Sequence, residues 1–172
     1  MTTERDDLLD LLHQHRGFLR FTVRGLSDEA ARSRPTVSAL SLGGLVKHVT
    51  AGEVNWARFV VAGPAEQPDW ADIDWSNPPA AVLEHQAGFV MGEDETLAGL
   101  LAAYDEAAAA TDQLVRTVDL DARQPLPEAP WFEAGKSWSA RRVFHHLVAE
   151  TAQHAGHADI LRETIDGQKS MG

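Results

Sequence analysis

No cysteine occurs among the 172 residues, which excludes disulfides, thiolate zinc ribbons, redox CxxC motifs and an internal cysteine nucleophile. Any thiol chemistry must use a thiol from outside. No run approaches the roughly 20 apolar residues of a membrane-spanning helix. The start, MTTERDDLLDLL, lacks the basic and then apolar stretches of a secretory signal, so the chain is expected to stay in the cytoplasm. Positive charge is scarce: 15 Lys and Arg stand against 26 Asp and Glu, a net charge of −11. Acidity of that size repels nucleic-acid phosphates and anionic lipid surfaces, so neither is an expected partner. Glycine-rich phosphate loops, GxSxG elbows and fixed-period repeats are also missing.

The remainder, 44% hydrophobic and 24% charged, is ordinary for a globular chain, and the length fits a single domain. Four long stretches carry apolar residues at helical spacing. The first starts at a Thr2 or Thr3 cap, runs through Leu8, Leu12, Leu19 and Val23, and stops near Gly25. SDEAARSRP then offers a capped helix of one or two turns before Pro35. Ser41 caps a second long helix, LGGLVKHVTAGEVNWARFVVA, which Gly63-Pro64 ends.

Prolines 64, 68, 78 and 79 break up the next stretch, although AAVLEHQ within it can form a short helix, and Trp70 and Trp75 need burial. A third long helix starts between Asp94 and Thr96 with Leu97, Leu101, Tyr104, Ala108, Thr111 and Val115 on one stripe. After a second proline-rich connection, Ser139 caps a fourth helix reaching about Asp166, where Gly167 supplies a left-handed end. With no alternating strand pattern, the expected fold is all-α, a four-helix bundle.

Four of the eight histidines, His145, His146, His154 and His157, crowd into thirteen residues of the fourth helix. At about 100° per residue from Glu150, His146, His154 and His157 fall near −40°, +40° and −20°, on one face. Val143, Leu147, Leu161 and Ile165 share that arc, whereas Arg141, Asp159, Arg162 and Glu163 point away, so the polar cluster is expected to face the core. Buried imidazoles and a carboxylate cost several kcal/mol unless paired or coordinated, and a divalent cation supplies that compensation. Glu150 and His154, four apart, can converge on one ion.

On the second long helix His48 lies on an inward stripe with Leu45, Gly52, Asn55, Trp56 and Phe59. Taken alone, His48 reads as a satisfied core histidine, and the fourth-helix cluster reads equally as a metal site or a buried hydrogen-bond network. His157 is a competing ligand or a neighbour of the ligands, and His145 and His146 pack or hydrogen-bond near the helix start. His13, His15 and His85 lack partners at ligand spacing. Tyr104 reads as a packed core residue, and Trp70, Trp75, Trp131 and Trp138 as structural or as a pocket roof. Arg141 and Arg142 read as a solvated face, with an anionic substrate as the alternative.

LSLGGLVKHVTAGEVNWARFVVAG and HHLVAETAQHAGHADILRETIDG resemble the DinB/YfiT-like superfamily of metalloenzymes, which includes mycothiol-dependent maleylpyruvate isomerase and bacillithiol S-transferases. The resemblance spans essentially the whole chain, and ExxxHxGHADILRE is its most specific motif. It implies a helical bundle holding one metal at His48, Glu150 and His154. Many relatives carry His where this chain has Glu150, while the mycothiol-dependent isomerase is similar to it in using glutamate. His157 stands where other branches often have Gln. His and carboxylate without thiolate accept Zn²⁺, Ni²⁺, Fe²⁺ or Mn²⁺, with zinc the first expectation.

The resemblance further implies activation of an external low-molecular-weight thiol, mycothiol or one similar to it, for transfer to an electrophile or for isomerisation. The role of His157 does not carry over from the family, and in that chemistry His157 is expected to act as a base beside the ligands. Metal-activated water attacking a small ester or amide is the competing enzymatic reading, and a non-catalytic helical stress-response or binding module is the third. Many relatives pair through helix faces. A homodimer is therefore expected, with Phe144 and Val148 as exposed contacts.

Overall fold

The computed structural model describes residues 3–65 and 73–170, so Trp70 lies outside the described residues. Four long helices dominate: α1 (Glu4–Thr22), α3 (Leu42–Ala62), α5 (Leu97–Thr117) and α6 (Ala140–Asp166). Two short ones join them, α2 (Asp28–Arg32) and α4 (Ala80–Ala87). Each long helix begins where a side chain can accept from an unpaired amide of the first turn. Thr3 forms a capping box with Asp6, and Ser41, Thr96 and Ser139 accept from Gly44, Gly99 and Arg142 respectively. Gly167, at φ 79°, closes α6 in the left-handed conformation that a side chain disfavours.

Helix α1 packs against α6 and α5, and α3 packs against the same two, so every long helix has two long neighbours. Two apolar clusters fill the interior. One gathers Leu19, Leu42, Leu45, Tyr104 and Leu161, and the other gathers Leu8, Leu12, Phe59, Val115 and Phe144. The fold is thus mostly helical, as the periodicity predicts, with one addition. The second proline-rich connection contains a small antiparallel pair, β1 (Arg123–Pro125) with β2 (Ser137–Ser139), in which Gln124 faces Trp138. Strands of three residues are too short to show an alternation in the sequence.

The inward face of α6 differs from the expectation. Its buried residues, from Val143 and Leu161 near 20° to Ala155 near 140°, centre about 80° from Glu150 at about 100° per residue. Phe144 and Arg162 both fall near 120° on that wheel and are 0% and 3% exposed. Phe144 is therefore core and not a pairing surface, and Val148 packs against the same cluster. Arg162 points inward, donating to the carbonyls of Thr22 and Arg24 at 2.8 and 2.9 Å and to Asp166. Trp75, for which burial is expected, is 64% exposed.

Candidate metal centre

The same rotation sets the place of the polar cluster. On α3 the buried arc centres on Glu53, which is 2% exposed, while His48, five residues earlier, lies about 140° away. His48 and Glu150 consequently sit at the rim of the α3–α6 seam, half-buried, instead of at the centre of the bundle. Asn55, expected inward, is exposed.

At that rim one ligand atom from each of His48, Glu150 and His154 lies within 4.8 Å of the other two. Two ligands on one zinc, each 2.0–2.1 Å from it, stand about 3.4 Å apart at the tetrahedral angle, so closing the set takes on the order of 1 Å of side-chain rotation. His154 Nε2 is 3.7 Å from Glu150 Oε2, too far for a hydrogen bond and suited to an ion between them. The buried Nδ1 atoms of His154 and His157 have no hydrogen-bond partner among the described residues. The imidazole–carboxylate donor set of His48, Glu150 and His154 fits a borderline divalent cation.

Two features hold the candidate ligands in place. The His48 ring stacks on Phe89 at 3.9 Å and 19° and meets the His154 ring edge-on at 4.8 Å. Phe89 comes this close because Gly43 and Gly44 open α3: a Cβ at Gly44 would collide with the Phe89 carbonyl, and one at Gly43 with Met91. The GG pair thus brings the 89–91 segment down one turn before His48, a role not read from the sequence. On the open side the Glu150 side chain is 41% exposed to solvent.

The other histidines separate clearly. The His157 ring lies 5.6 Å from that of His154, adjoining the three ligand candidates without joining them. His146 flanks Glu150 on the other side, its Nε2 3.8 Å from Oε1. His145 is exposed. His13 contacts Asp112 at 2.5 Å, His15 packs edge-on to Phe18, and the His85 side chain lies outside the description. Tyr104 is fully buried, with its hydroxyl pushed to higher pKa mainly by burial, and fits the core reading. Arg141 pairs with Glu4 and Asp121, and Trp131 is 61% exposed.

Burial lowers the pKa of both His146 and His154, against the opposing pull of Glu150, and so favours the neutral imidazoles that ligation requires. In the unfolded chain both return to the ordinary value and take up protons first. Stability contributed by keeping them neutral is present above about pH 6.5 and falls as the pH drops through it. With a chelator present, urea midpoints at pH 7.5 and 5.5 are expected to differ, and the difference should shrink in a His146→Gln variant. A variant with the wild-type slope would remove His146 from this account.

Comparison with known proteins places the chain in a class. A solved structure described as a conserved protein from Enterococcus faecalis superposes with a TM-score of 0.68, covering 98% of this chain and 100% of that one at 14% identity. It therefore shares the fold. The profile of the Mycothiol-S-transferase family matches residues 7–167, and the chain belongs to that family. A search of curated proteins finds no match. No helix among the described residues is long and apolar enough to cross a membrane.

Proposed function

We propose that the chain is a metal-dependent S-transferase that joins an external low-molecular-weight thiol, mycothiol or a close analogue, to an electrophilic small molecule, and that its four long helices form the DinB-type bundle. The observation that carries this reading is the meeting of His48, Glu150 and His154 from two helices in a chain with no cysteine. The family match supports the thiol.

His48 and His154 would hold the cation as neutral imidazoles, and Glu150 would offset part of its charge from the solvent side. Zinc suits this donor set best, and nickel, iron or manganese fit it as well. A divalent ion held by these residues would supply the Lewis acidity that lowers the pKa of a thiol toward neutrality. His157, beside His154, accepts the released proton and passes it to solvent. The thiol sulfur forms a bond to the electrophilic carbon while the bond to the leaving group breaks and that group departs with the electron pair. Phe89 shields one face of His48 from water.

The test is metal analysis of purified protein together with turnover of a chromogenic alkyl halide with and without thiol. About one metal equivalent and thiol-dependent turnover are expected, both lost in His48→Ala. Unchanged metal content in that variant would sink the ligand set. Ester hydrolysis that needs no thiol would replace transfer with hydrolysis.

A further inference from the structure

Running from the ligand cluster toward the start of α6 is a row of side chains that the metal reading leaves unused. On α3, His48, Gly52 and Trp56 follow at four-residue spacing and share one face. On α6, His154, Glu150, His146 and Arg142 do the same. His48 meets His154 with ring centroids 4.8 Å apart and Trp56 meets His146 at 4.9 Å, so the two rows run antiparallel and face to face. That register puts Glu150 across from Gly52. A Cβ built at Gly52 meets nothing within 4 Å, so the row has a gap between its imidazole end and its indole end.

The indole end is a wall. Trp138 of β2 stacks on Trp56 at 5.0 Å and 16°, both indoles meet His146 edge-on, and Phe132 closes against Trp138 at 5.8 Å. The Arg142 guanidinium lies over the Trp138 ring, its Cζ 4.2 Å from the centroid. No carboxylate among the described residues pairs with Arg142, although the chain carries 26 acids and the adjacent Arg141 holds two of them. A stacked guanidinium keeps its in-plane N–H donors directed outward, the geometry that receives a carboxylate in a fork.

We infer that this row seats the electrophilic co-substrate, and that the co-substrate is a flat, ring-bearing molecule with an anionic group at the end away from its reacting carbon. The inference rests on the transferase reading above for which end reacts. The ring lies across Gly52 against the Trp56–Trp138–His146 wall, the anion meets Arg142, and the reacting carbon reaches Glu150 and His154. Arg142 and Glu150 are eight residues apart, about 12 Å along the helix, so a molecule on the order of 10 Å long spans the row.

The test measures binding by calorimetry on the full chain, with the unreactive probes biphenyl-4-carboxylate and biphenyl-4-carboxamide. The carboxylate is expected to bind about tenfold more tightly than the amide, and Arg142→Gln to erase that difference. Gly52→Leu fills the gap and is expected to weaken both probes by at least about tenfold. Its side chain enters open space on a helix, so circular dichroism and metal content should match wild type. Equal affinity of the two probes, a carboxylate preference that survives Arg142→Gln, or no binding of either would overturn the inference. Metal content and thiol-dependent turnover are read on the same samples. Failed probe binding with both intact condemns this seat alone, whereas intact probe binding without thiol-dependent turnover condemns the transferase reading.

Discussion

Replacing Glu53 with Ala is expected to lower the free energy of unfolding by about 3–5 kcal/mol, the cost of stranding one member of a buried ion pair. Arg16, 3% exposed, directs its guanidinium to both oxygens of Glu53 and donates to Asp112 Oδ1 at 2.7 Å, while His13 contacts the other Asp112 oxygen. The network therefore ties α1 to α3 and α5. Burial alone would lower the Arg16 pKa, but Glu53 and Asp112 outweigh it and hold the value above its ordinary level. Arginine cannot shed its proton to escape, so removing Glu53 leaves a charge in the core with only Asp112 beside it.

For a chain of this length the thermal midpoint should fall by on the order of 10 °C. The double variant Glu53→Leu with Arg16→Met should recover part of the loss, because apolar groups of similar volume need no partner and Asp112 keeps His13. Urea denaturation of Glu53→Leu, Arg16→Met and the double variant, beside Glu53→Ala, checks this. Losses that simply add would show that the pair is not coupled.

Replacing Glu150 with Ala is expected to weaken divalent-metal binding by on the order of 100-fold or more while changing unfolding free energy by about 0.5 kcal/mol or less in the metal-free protein. The two effects separate because the carboxylate is 41% exposed and its neighbours His146 and His154 stand 3.8 and 3.7 Å away, outside hydrogen-bond range. Folding gains little from Glu150, whereas the cation would lose one of three anchors. Glu150→His should restore most of the affinity, since imidazole at that position supplies a ligand without the charge. Competition against a chromogenic chelator measures both variants. Equal affinity in Glu150→Ala and wild type would take Glu150 out of the site.

Helix limits were legible because their signals are local. Thr3, Ser41, Thr96, Ser139 and Gly167 act within one turn of themselves. Glu150 and His154 were legible because four-residue spacing places two side chains together on any helix. The buried face of α6 was not. A helix with two long neighbours buries two sides, and a wheel centred on the histidines sees only one, so the same displacement turns Phe144 and Arg162 toward solvent on that wheel. The Arg16–Glu53–Asp112 network was invisible for a related reason. Each member is a single charge on its own helix, and only tertiary contact distinguishes it from a solvated one. Phe89 could be found only through what presses on Gly44.

Helix α3 carries Glu53 on its buried face and His48 on its rim, 140° apart at about 100° per residue. It acts as a keel with a rib fastened to each flank. The ionic rib reaches α1 and α5, and the proposed coordination rib reaches α6. Turning α3 about its axis to improve one attachment necessarily worsens the other, so drift in its sequence is confined to exchanges that leave that rotation fixed.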